Sequence, residues 1–275
     1  MGAPRRLRGA ESVKVSRVPL TSIKRTIAGQ VIDVMAGGEG PRLTILHRDT
    51  GRSLWTRLYE ALAAHFHVVV PSMPGYDASE RPDWLRNVAD MAALMGQFDD
   101  ALGGERGAYL GLGFGGWVAA ELAARSPERV TQLILHSPMG IKPAKGEIFD
   151  QFLVEAENYA RQGFATELGY HASVAAETDD RAARLDRNRE MTTRIAWKPA
   201  MFNLGLPYLL KGISIPSLVV WSKDDTIVPR SCAEAYSDAI TGARYAEIPG
   251  GHVAEWEATE ALATLVLDFL KASRC

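Results

Sequence analysis

Gly107-Ala108-Tyr109-Leu110-Gly111-Leu112-Gly113-Phe114-Gly115-Gly116-Trp117-Val118-Ala119-Ala120-Glu121 is the stretch on which the rest of the chain turns. An apolar run suited to a buried strand leads into small residues and then into a helical pattern. A strand-to-helix turn of this kind lifts a reactive side chain above a sheet, and its signature is G-x-S-x-G. Here the five positions are Gly111, Leu112, Gly113, Phe114 and Gly115. The flanking glycines stand where the turn needs them. The centre, where the nucleophile is expected, is also a glycine.

On both sides of this turn, short apolar runs alternate with helix-length segments. Residues 13–18 and 30–35 alternate as an opening antiparallel pair, and 43–47, 68–70, 109–111 and 130–136 read as buried strands. Helical periodicity spans 54–64, 88–102 and 115–124. Such alternation predicts a mostly parallel sheet covered on both faces. From 142 to 211 the strand rhythm stops, and helices are expected at 147–161, 182–195 and 207–210. It resumes at 217–221 and 244–248, with helices at 231–240 and 257–272.

The 275 residues suffice for one large domain with an insertion. Lys and Arg number 31 against 33 Asp and Glu, a net charge of −2 with both signs interspersed. This balance gives no reason to expect a nucleic acid or an anionic membrane as partner. The two cysteines, Cys232 and Cys275, form no disulfide or metal pattern, which fits a reducing, cytoplasmic setting. Arg5-Arg6 is not followed by an apolar export segment, and no charge-free stretch is long enough to span a bilayer.

Two loops carry titratable chemistry. Trp221-Ser222-Lys223-Asp224-Asp225 leaves a strand end, and Gly250-Gly251-His252 follows the last strand. Open α/β sheets place their sites at the carboxyl ends of strands. A histidine there can move protons near neutral pH, and a carboxylate can fix its tautomer.

With His47 and its loop, residues 71–79, the Gly113 turn, the Asp225 loop and Gly251-His252 in this order, the chain resembles α/β-hydrolases of the meta-cleavage-product hydrolase and esterase type. The resemblance implies a doubly wound, mostly parallel eight-stranded sheet formed by residues 1–141 and 212–275, with a helical cap at 142–211. It implies His252 as base and Asp225 as its acid, with Asp224 a solvated turn residue. It also implies an oxyanion hole from the backbone N–H groups of Phe114 and Asp49.

Two departures follow from the residues themselves. Relatives usually carry His-Gly where this chain has His47-Arg48-Asp49. An inward Asp49 carboxylate would repel an oxyanion, whereas Arg48 and Asp49 facing solvent, or pairing with each other, would matter little. Gly113 offers no hydroxyl for an acyl-enzyme and no carboxylate for the dehalogenase route. Trp117, Phe114, His47 and His136 read more simply as core or locally bonded residues, and His65 and His67 fit no metal pattern. The glycine run sits on too late a strand for a dinucleotide fingerprint.

The expectation is therefore a cofactor-free enzyme with a small, apolar or aromatic carbonyl substrate as its partner; a homodimer is left open. Its general base would be the His252–Asp225 pair, in the manner the resemblance suggests for hydroxynitrile lyases and cofactor-free dioxygenases. The alternatives are a catalytically impaired Ser-to-Gly form of an ester or carbon–carbon hydrolase, and a non-catalytic ligand-binding protein.

Overall fold

The computed structural model describes residues 20–177 and 180–273. Strands β1 (Leu20–Ile27) and β2 (Gln30–Gly37) form an antiparallel hairpin in which Ile27 pairs with Gln30. The two residues between, Ala28 and Gly29, both have positive φ, as a tight hairpin turn requires. The partner of β2 is thus Leu20–Ile27; residues 13–18, expected in that place, lie outside the described residues.

The remaining strands are β3 (Arg42–Leu46), β4 (His67–Pro71), β5 (Gly107–Leu112), β6 (Val130–His136), β7 (Ser217–Ser222) and β8 (Arg244–Ile248). All eight form one sheet in the order β1-β2-β4-β3-β5-β6-β7-β8. From β4 to β8 every pairing is parallel, and β2 joins β4 antiparallel. This is the expected doubly wound α/β sheet.

Because side chains alternate along a strand, the sheet feeds two separate cores. Tyr109, Leu133, Leu135 and Val219 face one side, where they meet α2 (Val88–Ala101), α3 (Phe114–Arg125) and α8 (Arg230–Ala239). Leu110, Ile134, Leu218 and Val220 face the other, packed on α1 (Arg57–Ala63) and α10 (Thr259–Ala272). Thr56 and Asn87 cap α1 and α2 through their side-chain oxygens.

Between β6 and β7 the described residues form helices only: α4 (Ala156–Gln162), α5 (Glu167–Ala175), α6 (Arg181–Ala196) and α7 (Leu206–Leu210). The helix expected at 147–161 is confined to its last part. Ahead of it the chain turns, with Asp150 Oδ1 accepting from Phe152 N and Phe149 N donating to Ile227 O. Helix α5 was not expected, although its cap, Thr166, accepts from Gly169 N. Before α10 the chain makes a separate short turn, α9 (Ala254–Glu257). Among the described residues, no helix is long and apolar enough to cross a membrane.

Candidate active site at the carboxyl ends of the strands

The turn between β5 and α3 is centred on Gly113, at φ 52° and ψ −112°. That conformation is disfavoured for residues bearing a Cβ, so glycine is the natural occupant. The turn is pinned to its neighbour: Gly113 N donates to His136 O, and Gly113 O accepts from Met139 N. Gly115 is needed for a different reason. A Cβ there would lie 2.3 Å from Leu46 O, so only glycine lets α3 start against the end of β3. Phe114 opens the helix and is buried, packed edge-on against Trp117.

The loops after β7 and β8 bring Asp225 and His252 together. His252 Nδ1 lies 2.8 Å from Asp225 Oδ2, and both side chains are buried. The other carboxylate oxygen, Oδ1, accepts from Ile227 N and Val228 N, each at 2.8 Å. Burial alone would push the Asp225 carboxyl up, but His252, the Val228 N–H and Ser137 hold it below the usual carboxylate value. Asp224 faces the other way, accepting from Gly250 N. With Nδ1 donating to Asp225, the lone pair of neutral His252 is on Nε2. That atom is buried, has no hydrogen-bond partner, and lies 2.7 Å from where a Cβ on Gly113 would stand.

The loop after β3 supplies what the sequence reading missed. Arg48 points inward rather than to solvent, and it does not pair with Asp49. Its Nε and Nη2 donate to Glu255 in a forked pair, 3.1 and 2.8 Å. The two side chains are only 3% and 1% exposed. Nη2 also donates to His136 Nδ1 at 3.1 Å, and His136 Nε2 donates to Ser222 Oγ at 2.9 Å. His136 is therefore fixed in one tautomer by partners far away in sequence, not by local ones. Burial, with Arg48 beside it, drives its pKa well below the ordinary histidine value. The third nitrogen, Arg48 Nη1, is buried without a partner and lies 3.0 Å from the Cβ position of Gly113.

Asp49 also points inward. Its Oδ2 accepts from Tyr159 Oη at 2.7 Å and from Gln151 Nε2 at 3.2 Å. Burial raises its pKa above the usual carboxylate value, which favours the neutral carboxylic acid. His47 holds the loop in place: Nε2 accepts from Met73 N, and Nδ1 donates to Arg48 O. Burial lowers its pKa to about 4.

Helix α6 closes the site from above. Asn188 exchanges hydrogen bonds with Asp77 N and Oδ1, both 2.8 Å, and donates to Thr50 O. Between these loops and the inserted helices lies a cavity of about 40 Å³ bordered by Ser53, Ala160, Val253 and Glu255. A far larger cavity, about 940 Å³, lies at the opposite, amino edge of the sheet beside Gly38, Arg42 and Gly107. It contains none of the groups described above. Among the described residues, no group of three or more His, Cys, Asp or Glu is placed to hold a metal ion.

A 2-hydroxy-6-oxononadienedioate/2-hydroxy-6-oxononatrienedioate hydrolase of Cupriavidus pinatubonensis is 30% identical over 270 residues, covering 89% of this chain and 88% of that protein. A 2-hydroxy-6-oxo-6-phenylhexa-2,4-dienoate hydrolase of Burkholderia cepacia is 26% identical, covering 85% and 88%. In solved structures, the hydrolase of the same name from a Rhodococcus species superposes with a TM-score of 0.74 at 17% identity, over 92% of this chain and 99% of that one. Residues 47–259 match the alpha/beta hydrolase fold family over most of the chain. With this sheet order, and relatives of meta-cleavage-product hydrolase type, the chain belongs to the α/β-hydrolase fold family.

Proposed function

We propose that the protein is an enzyme acting on a conjugated oxo-dienoic acid of the kind formed by aromatic ring cleavage. His252, oriented by Asp225, is its general base, and Gly113 stands at the nucleophile position, so there is no covalent route through that residue. The observation that carries this reading is the His252 Nε2 lone pair, buried and unpartnered against Gly113 while Nδ1 is locked at 2.8 Å on Asp225. The names of the relatives supply the substrate class. A 2-hydroxy-6-oxo-dienoate contains no ester or amide, so its hydrolysis must break a carbon–carbon bond beside the ketone. Without a serine, that requires a base to take a proton from water, or from the enolic hydroxyl. The enolic proton moves to C5, beside the ketone, to give the 2-oxo tautomer; water then adds to the ketone carbon C6 and passes a proton to His252. The C5–C6 bond breaks with its electrons passing into the 2-oxo-3-enoate as a dienolate, which takes that proton back from His252 as the carboxylic acid leaves. General-base assistance contributes roughly 10²–10⁴-fold, enough for a substrate so activated.

The test is to incubate the protein with 2-hydroxy-6-oxo-6-phenylhexa-2,4-dienoate and follow the loss of its conjugated absorbance and the release of benzoate. Turnover should fall about 10²–10⁴-fold in His252→Ala. Turnover that survives that change intact would overturn the reading.

A second reading is favoured by one observation: His252 and Arg48 lie so close above Gly113 that they fill the place of a nucleophilic side chain. On this reading the protein binds such acids without converting them. Saturable binding of the dienoate with no benzoate released would support it.

A further inference from the structure

We infer that the Arg48 guanidinium takes the place of the backbone oxyanion hole and binds the negatively charged oxygen of the substrate through Nη1. The inference rests on the reading that the site over Gly113 is the reacting one. Its support lies in how the guanidinium is held. Nε and Nη2 are fixed by the forked contact to Glu255, and Nη2 is shared with His136 Nδ1. With Nε and Nη2 so engaged, one whole nitrogen is left over. Nη1 is buried with no partner, and it faces the same point beside Gly113 as the lone pair of His252. Buried donors are rarely left unpaired, and each exception calls for its own explanation; here the position of Nη1 beside the His252 lone pair points to a ligand oxygen. A donor fixed before the reaction, in a buried site of low dielectric, stabilises developing charge at no cost in reorganisation.

The surroundings agree with an anionic guest. Asp49 is the second backbone donor that the family pattern would use, and its own carboxylate is turned inward. That carboxylate is in turn occupied by Tyr159 and Gln151, and burial favours its neutral form. The repulsion expected of an inward Asp49 is thereby reduced. His136, which could otherwise compete as a second cation, is held as an acceptor for Arg48. The site then offers one base and one cationic donor on either side of a glycine. This pairing suits an enolate or carboxylate oxygen and has little to offer a neutral ester.

The experiment compares benzoate with benzamide as probes, by calorimetric titration of the full chain, in the wild type, Arg48→Met and the double variant Arg48→Met/Glu255→Leu. The double variant removes the buried carboxylate that the single change would leave unpaired, so folding, checked by near-ultraviolet circular dichroism, does not decide the outcome. Benzoate affinity should fall at least tenfold in the folded variant, with benzamide unaffected. In dienoate turnover, the same variant should lose kcat more than it raises KM. Equal benzoate affinity in wild type and folded variant would overturn the role of Arg48. Loss of turnover in His252→Ala beside unchanged benzoate binding in the Arg48 variant would remove this inference and keep the proposed function. Arg48-dependent benzoate binding with no dienoate turnover would do the reverse.

Discussion

Gly113 stands where the G-x-S-x-G pattern has serine, and its neighbours leave little room for a side chain. A Cβ at this residue would stand 2.7 Å from His252 Nε2 and 3.0 Å from Arg48 Nη1. Neither group is a free side-chain end: His252 is tied to Asp225 and Arg48 to Glu255. Restoring the family residue should therefore hurt. Gly113→Ser is expected to lose about 1–3 kcal/mol of stability through overpacking and backbone strain. It should gain no p-nitrophenyl acetate hydrolysis. Denaturant titration and a stopped esterase assay check both; a stable, ester-cleaving variant would mean that His252 and Arg48 withdraw readily.

At the scale of elements, the helices between β6 and β7 are held over the site by specific polar contacts. Asn188 on α6 is fully buried and satisfies Asp77 and Thr50 at once. Asn188→Ala should cost about 1–3 kcal/mol, because it leaves the part-buried Asp77 N–H and Thr50 O without this partner. Limited proteolysis should then cut first between residues 140 and 205, and unchanged protection there would show that α6 docks by apolar contact alone.

Elements of this kind were unevenly legible. The Gly113 turn, the Asp225 loop and Gly251-His252 could be placed because each lies where a strand ends, and strand ends are marked by composition. The Arg48–Glu255 pair could not, since 207 residues separate its members and sequence carries no side-chain direction. Residues 147–155 have helical composition, yet the bonds of Phe149 to Ile227 and of Asp150 to Phe152 hold them in turns. Helix α5 was hidden because Gly169 and Val174 dilute its periodicity, although Thr166 was a readable cap.

For the whole molecule, the buried histidines set the acid limb of stability. His47 falls from 6.5 to about 4 on folding, so the native state binds fewer protons than the unfolded chain between those values. Its contribution is present above pH 6.5 and is lost as pH falls towards 4, on the order of 3 kcal/mol in all. His136 acts in the same direction. Asp49, raised on folding, acts oppositely, its contribution fading as pH rises through its folded value. Stability by urea titration should therefore drop between pH 7 and 4.5. The drop should shrink in His47→Gln, which keeps an acceptor for Met73 N without a titrating ring, and steepen in Asp49→Asn. A pH-independent wild type would contradict all three.

The inserted helices have a consequence for how this scaffold can vary. Strands β6 and β7 are parallel neighbours, so the chain must cross the sheet between them in any case. The five-residue α7, packed on α3 and α8, is placed to make that return. Helices α4 to α6 are then surplus to the wiring of the sheet. They form a loop of chain that can lengthen, shorten or exchange its sequence while every strand keeps its neighbour. Changes in what the cleft admits can thus be made there while the loops carrying Gly113, His252 and Arg48 keep their places at the strand ends.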